Sequence, residues 1–338
     1  MSAAAATADL PASPDAVYKP RERCAQSIPG GQMRDFDVIV VGAGVAGLTA
    51  AMFAGRHGLA VAVLDRIGVG GQIINAEKIE NWPGFPQGIG GHELGPLLHE
   101  QAEAAGAELM LDTVEAIELS GKHRIVRGGS ESLRARALII AAGSTPRKLG
   151  VPGESELRGS GVSQCAACDG ALFAGREVCV VGGGDTALDE ALVLAEHVAR
   201  VVIFHRGPRP EAQQALRDKI AARRNIELVP DTIVEEILGE ACVSGVRLCA
   251  LSSGTTRLHA VAGVFVCIGL SPNTEFVGGL LTLDAEGRIV TDASLQTSVA
   301  GIFAAGDIRA GSVAQLAAAA GDGATAAIAA FRYIERSR

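Results

Sequence analysis

The apolar positions of this chain fall into short continuous runs, each ended by glycine and followed by a longer stretch in which small apolar residues recur. The clearest block is DFDVIVVGAGVAGLTAAMFAGRHGLAVAVLDR, residues 35–66. Its charge-free run from Val38 to Gly55 is long enough to suggest a membrane span, but glycines at 42, 44 and 47 break it. The pattern instead predicts a buried strand, a tight turn, a helix, and a second strand ending on Asp65. The plan returns in REVCVVGGGDTALDEALVLAEHVARVVIFHRG, residues 176–207, with a strand to Val181, a helix, and a strand from Val201 to Phe204. Near the end of the chain TSVAGIFAAGDIRAGSVAQLAAAAGDGATAAIAA predicts a short strand to Ala305, a Gly306-Asp307 turn and an alanine-rich helix. A further strand ends in RALIIAAGSTPRKLGVPGE, where Pro146, Pro152 and Gly153 mark a linker. GLSPNTEF, residues 269–276, is its counterpart on the far side.

The glycines in the first block fit G-x-G-x-x-G, and Asp65 follows Gly42 by 23 positions. Gly42 makes the tight turn, Gly44 lets a pyrophosphate approach the backbone, Gly47 lets the helix pack on the strand, and the acid takes ribose hydroxyls. Gly182, Gly184 and Ala187 repeat this 140 residues later. There the second strand ends on His205-Arg206 rather than on an acid, and an arginine at that place suits the 2′-phosphate of an NADP-type cofactor. Asp307 is placed either to bind a cofactor's sugar or ribityl chain or simply to close a turn. The expected fold class is therefore α/β, with two Rossmann-like (three-layer) dinucleotide-binding domains, the second inserted into the first. The expected boundaries are a disordered arm over 1–34, a first domain from 35–148 with 276–338, and a second over 149–275.

Composition agrees with this and narrows the partners. The 338 residues are 48% apolar and 4% aromatic, and 43 are glycine, which suits tight strand-to-helix turns. The net charge of −8 argues against nucleic acid or an anionic membrane as partner. Residues 1–34 lack the basic start and apolar core of a signal peptide, and Asp9 and Asp15 do not suit a transit peptide. Initiation at Met33 is an alternative, and the expected compartment is the cytoplasm. Seven cysteines do not make a disulfide framework. Cys179 and Cys267 lie in strand-like runs as small buried apolar residues, and Cys24, Cys242 and Cys249 share no motif with them.

Cys165 and Cys168 are different. In VSQCAACDG, residues 162–170, they stand three positions apart among Ser163, Gln164, Asp169 and Gly170. Structural zinc takes four ligands, and no second pair completes a set, so no metal site is expected. Two bystanders belong in a periodic apolar segment, not among polar and turn residues. A redox pair remains: the loop is small enough to open and close as a disulfide, and Asp169 can exchange the proton of a leaving thiol.

Taken together these stretches resemble the low-molecular-weight, bacterial-type thioredoxin reductase family over almost the whole chain, Phe36 to Tyr333. The likeness runs through VGAGVAGLTAA, GGQI…IENWPGFP, AAGSTPRKLGVPGE, CAACDG, VGGGDTALDEA, GVFVCIGLSPNT and TSVAGIFAAGD. The resemblance implies FAD on Gly42, Gly44, Gly47, Asp65, Gly71, Gln72, Asn81, Gly306, Asp307, Ala314 and Gln315. It implies NADPH on Gly182, Gly184, Asp185, Thr186, His205 and Arg206. It implies that Cys168 lies nearer the flavin while Cys165 attacks a partner disulfide, with Asp169 as acid. Thioredoxin or another small disulfide protein is the implied partner, and a homodimer with a rotating inserted domain the implied assembly.

Two stretches depart from that pattern. NADPH-dependent members carry H-R-R-x-x-x-R after the second strand, where this chain reads HRGPRPEAQQ, with Gly207 and Glu211 at two arginine positions and Arg209 off register. Fewer guanidinium groups make fewer charge-assisted bonds to a phosphate, and Glu211 repels one. Ahead of the last helix the family's Arg-Gln is Ala314-Gln315. Relatives of this fold that keep C-x-x-C and FAD but exchange electrons with ferredoxin, with a second flavin nucleotide, or with oxygen as dithiol oxidases thus stay open beside NADPH. A non-catalytic flavin-binding redox sensor is the minor alternative.

Overall fold

The computed structural model describes residues 33–76 and 78–337. Cys24 and residues 1–32 of the expected arm lie outside them. The expected arm is corrected at its end: Arg34 is already the first residue of strand β1 (Arg34–Val41) and pairs with Glu108 across the sheet.

β1, α1 (Val45–Arg56) and β2 (Val61–Asp65) follow the predicted order. Val38–Val41 are at most 4% exposed, as a strand covered on both faces must be. α2 (Gly91–Ala104), β3 (Ala107–Leu111) and the meander β4 (Val114–Ser120), β5 (His123–Gly128), β6 (Ser132–Ile140) complete the local part of the first sheet, in the order β3-β2-β1-β6-β5-β4. β6 is nine residues long and divides its outer edge. Its first half pairs antiparallel with β5, and Leu138–Ile140 pair parallel with β17 (Ile302–Ala304).

Between those two partners of β6 the chain builds a second sheet. β7 (Ser144–Pro146) leads out, and β8 (Val162–Ser163), α3 (Ala166–Asp169), β9 (Glu177–Val181), α4 (Asp185–Leu194), β10 (Arg200–Phe204), α5 (Gln214–Ala222) and β11 (Ile226–Val229) follow. An antiparallel sheet of β12 (Thr232–Gly239), β13 (Val243–Ala250) and β14 (Thr256–His259) precedes β15 (Gly263–Val266). The second sheet is parallel throughout, ordered β11-β10-β9-β15-β8. β16 (Leu270–Pro272) then returns antiparallel to β7, so the outgoing and incoming segments form one two-stranded link. The fold is thus two dinucleotide-binding α/β units, one carried within the other.

The last helix, α6 (Leu316–Arg336), closes the first unit against α1. The helices touch because their facing residues are small: a Cβ on Gly323 would come closer than 3 Å to the Ala46 carbonyl. Ala326, Ala327, Ala330 and Ile334 are fully buried there against Ala50, Ala51 and Ala54. Among the described residues no helix is long and apolar enough to cross a membrane.

Candidate functional site

Both glycine turns have the same backbone. Gly42 N–H donates to Leu64 O at 2.7 Å and Gly182 N–H to Phe204 O at 3.0 Å, tying each turn to the neighbouring strand. Gly42 (φ 107°) and Gly182 (φ 151°) occupy the left-handed half of backbone space. A Cβ on either would strike a carbonyl of the adjacent strand's end, Ala141 or Cys267. A Cβ on Gly47 would strike the Gly42 carbonyl, which is the close helix–strand contact expected of a third glycine; Ala187 holds that place in the second turn. Nothing lies within 4 Å of a Cβ on Gly44 or Gly184. These two positions open onto free space at the N-termini of α1 and α4, neither of which has a side-chain cap. Uncapped first-turn amides beside an open cradle suit a pyrophosphate.

Around the first crevice the structure gathers residues far apart in sequence. The Gly70–Gly71 turn packs on Gly44, and Gln72 Nε2 donates to Ser144 O at 2.5 Å. Asn81 Nδ2 donates to Gln315 Oε1 at 3.1 Å across 234 residues. Gly306 N–H donates to Asp322 Oδ2 at 3.0 Å, and Arg309 pairs with the same carboxylate at 2.6 Å. Burial raises the Asp307 carboxyl above its ordinary value, with Ser312 O–H pulling the other way. Ala314 sits at φ 50°, a left-handed position, and is exposed. Asp65 is more engaged than its sequence position suggests. It accepts from Ala43 N at 2.7 Å and from Ile67 and Gly68 N at 2.8 and 2.9 Å, so it also fastens the loop after β2 to the glycine turn.

The second turn carries a further segment against it. The amide of Glu211 donates to Gly183 O at 2.8 Å, which lays the 211–213 segment against the glycine turn. Asp185 accepts from Gln213 through both oxygens, at 2.7 and 2.6 Å, and stands 3.5 Å from Gln315 Nε2 of the first unit. Thr186 is exposed in the first turn of α4. His205 is 7% exposed, lies beneath Gly183 and Gly207, and has Nε2 2.9 Å from Arg209 O. Its ring is committed within the protein, which leaves Arg206 as the exposed cation of that pair.

Cys165 and Cys168 are joined as a disulfide, with Cα atoms 5.4 Å apart. Cys165 is the N-cap of α3, and its sulfur accepts from Cys168 N at 3.2 Å. Two clefts lie beside the redox turn. Cys168 lines one of about 370 Å³ whose other walls are Ile74, Asn75, Ala76 and His92 of the first unit, with Ala167 and His197. Asp169 lines a second, of about 260 Å³, with Ser163, Lys148 and Arg158. Sequence reading passed over Ser163 as a member of the site. Its hydroxyl donates to Asp169 Oδ2 at 2.6 Å and accepts from Cys165 N at 3.1 Å, so it joins the carboxylate to the disulfide turn. Its place two residues before Cys165, beside Gln164, was the available signal. Cys179 and Cys267 are 0% and 8% exposed, and burial pushes both thiols far up, which keeps them inert. Among the described residues no three His, Cys, Asp or Glu are grouped to hold a metal ion.

Two dinucleotide-type glycine turns, and a disulfide whose Cys168 lines a cleft shared by the two units, are the parts of a disulfide oxidoreductase served by dinucleotides. Comparison with known proteins agrees. The pyridine nucleotide-disulphide oxidoreductase profile matches residues 36–323. A thioredoxin reductase of Listeria monocytogenes is 41% identical over 301 residues, covering 89% of this chain and 94% of its own length. Among solved structures, Lactococcus lactis thioredoxin reductase in its FR conformation superposes with a TM-score of 0.87 at 37% identity, covering 89% of this chain and 99% of that one. A Streptococcus pyogenes thioredoxin reductase, 39% identical and covering 90% and 100%, superposes at 0.61. The chain belongs to the pyridine nucleotide-disulphide oxidoreductases and, within them, to the low-molecular-weight thioredoxin reductases.

Proposed function

We propose that this enzyme carries electron pairs from NADPH through FAD to the Cys165–Cys168 disulfide and on to the disulfide of thioredoxin or another small protein. The observation that carries this reading is the placement of Cys168 on a cleft whose far wall belongs to the first unit. FAD is assigned to 35–148 with 276–338, held by Gly42, Gly44, Gly47, Asp65, Gly71, Gln72, Asn81, Gly306, Asp307, Ala314 and Gln315. NADPH is assigned to 149–275, on Gly182, Gly184, Asp185, Thr186 and Arg206, with His205 supporting the turn. The open cradles at Gly44 and Gly184 fit these groups. Bound there, they supply two-electron hydride chemistry. The residues of the chain do the rest. Cys168 takes the side toward the flavin. Once the pair is reduced, the Cys165 thiolate attacks a partner sulfur and forms a mixed disulfide, and the Cys168 thiolate then displaces the partner's second thiolate. Asp169, oriented by Ser163, supplies the proton that the leaving thiolate takes up.

The inserted unit is assigned a rotation about the β7/β16 link. Two relatives of similar identity, 37% and 39%, and similar coverage superpose at 0.87 and 0.61, as expected if similar units are differently arranged. In the present arrangement Lys219 of α5 pairs with Glu80, and Asp185 approaches Gln315. A homodimer is assigned on family grounds, and sedimentation velocity tests it.

A second reading concerns the donor alone. Gly207 stands where a clamp arginine is expected, and Glu211 is exposed on a segment laid against the crevice. Both favour a donor without a 2′-phosphate or one outside the nicotinamides. Anaerobic titration of the yellow protein separates the readings. Stoichiometric bleaching of the flavin by NADPH supports the first. A flavin that ignores NADPH overturns it in favour of the second: bleaching by NADH identifies a donor without a 2′-phosphate, and a flavin that ignores both, yet passes electrons from dithionite to the disulfide, identifies a donor outside the nicotinamides.

A further inference from the structure

Close to the disulfide lies a half-buried carboxyl that the electron path leaves unused. Glu190, on α4, reaches toward α3, and its carboxylate accepts from the amide of Ala166, the residue after Cys165. Ala166 is 1% exposed and opens α3, so its N–H has no partner within its own helix. The turn that holds both sulfurs is therefore capped twice, by the Cys165 sulfur on the Cys168 amide and by Glu190 on the Ala166 amide. The groups facing Glu190 are few. Asp189 adjoins it on α4, the Ala166 amide, next in sequence to Cys165, faces it from the start of α3, and the Cys267 thiol faces it from the end of β15. Among the described residues, α5 and strands β9 and β10 bring no charge that acts on it. Burial, with the Asp189 charge adding to it, pushes the carboxyl up to about 7 against the pull of the Ala166 N–H.

We propose that Glu190 is a positioning residue of the redox turn that takes up a proton when the disulfide is reduced, so that thiol formation and the nucleotide-binding helix share one protonation equilibrium. This rests on Cys165–Cys168 being the working disulfide. Reduction breaks the S–S bond with two electrons; one sulfur takes a proton and the other is left as thiolate. That new negative charge arises in the turn whose Ala166 amide Glu190 holds, and an anion nearby raises a carboxylate's affinity for a proton. The balanced change is S–S plus COO⁻ plus two electrons and two protons, giving one thiolate, one thiol and COOH. The electrons come from the bound cofactors in turnover, or from dithiothreitol in the test. By the same linkage, ionised Glu190 disfavours the thiolate.

The test uses the full-length holoprotein, equilibrated with oxidised and reduced dithiothreitol mixtures at a series of pH values. The Cys165–Cys168 pair is then scored by alkylation and mass spectrometry. Glu190→Gln keeps an acceptor for the Ala166 amide and removes the proton site. Above about pH 7 the wild-type reduction constant is expected to fall relative to that of E190Q by up to about tenfold per pH unit, until the reduced-state carboxyl ionises. Should E190Q fold poorly, the reduced-minus-oxidised infrared spectrum of the wild type serves alone: a protonated-carboxyl band is expected to appear on reduction at neutral pH. A ratio that stays flat with pH, or no such band, overturns the proposal. Failure of NADPH to bleach the flavin would refute the donor and leave this ratio untouched. A pair that never equilibrates in any variant overturns both the working disulfide and the role of Glu190.

Discussion

Gly42 and Gly44 are two residues apart, and replacing each with alanine should produce opposite defects. At Gly42, φ is 107° and a Cβ would come closer than 3 Å to the Ala141 carbonyl. An L side chain in such a conformation costs roughly 1–2 kcal/mol, and overpacking against a fixed carbonyl adds about 1–3 kcal/mol. Together these remove roughly 2–5 kcal/mol from a total stability on the order of 5–15 kcal/mol. At Gly44, φ is −78°, ψ is −175° and nothing lies within 4 Å, so the methyl group costs the fold less than about 0.5 kcal/mol. That methyl instead stands in the space assigned to the pyrophosphate, and FAD affinity should fall by about tenfold to hundredfold, or about 1.4–2.8 kcal/mol. Urea unfolding of flavin-stripped protein reports the first quantity, and titration with FAD followed by flavin fluorescence reports the second. A Gly44→Ala protein with wild-type FAD affinity would refute the cradle. A Gly42→Ala protein as stable as wild type would refute the strain argument.

Other outcomes are expected on the same grounds. Cys168→Ser should keep its flavin, lose turnover, and accumulate a Cys165-linked mixed disulfide with its partner on a non-reducing gel; trapping by Cys165→Ser instead would reverse the two roles. Glu211→Arg adds a guanidinium beside the assigned 2′-phosphate site, and at that exposed place should lower KM for NADPH by about tenfold with KM for NADH unchanged. Equal changes with both cofactors would place Glu211 away from the phosphate. Asp307, raised by burial, favours the folded protein when protonated. Its contribution is full below the ordinary carboxyl value and is lost as pH rises through the raised one. Asp307→Asn should abolish that part of the pH dependence in urea unfolding of the flavin-stripped protein; an unchanged profile would count against the burial argument.

The glycine turns and the cysteine pair were legible in the sequence because their requirements are local. A left-handed φ or a two-residue gap between sulfurs is specified by neighbours along the chain. The departures at Gly207 and Glu211 were legible only against the H-R-R-x-x-x-R pattern of the family the chain resembles. What each residue does in those motifs was less so. Asp65 reads as a ribose ligand, yet three backbone amides already hold it. His205 reads as part of a phosphate clamp, yet its ring lies beneath Gly183 and bonds to Arg209 O. In both cases the side chain meets donors or acceptors on adjacent loops, which no spacing rule encodes.

By itself, then, the sequence determined two repeated strand–turn–helix units, the order in which they are nested, and a redox pair in the second. These follow from hydrophobic period and from backbone conformations that only certain residues adopt. Tertiary structure alone decided which distant groups meet: β17 on the edge of β6, Asn81 on Gln315, Gln315 near Asp185, and Glu190 on the amide beside Cys165. Such contacts depend on how sheets and helices pack in three dimensions. A half-buried carboxyl 24 residues from the amide it caps leaves no periodic trace in the chain.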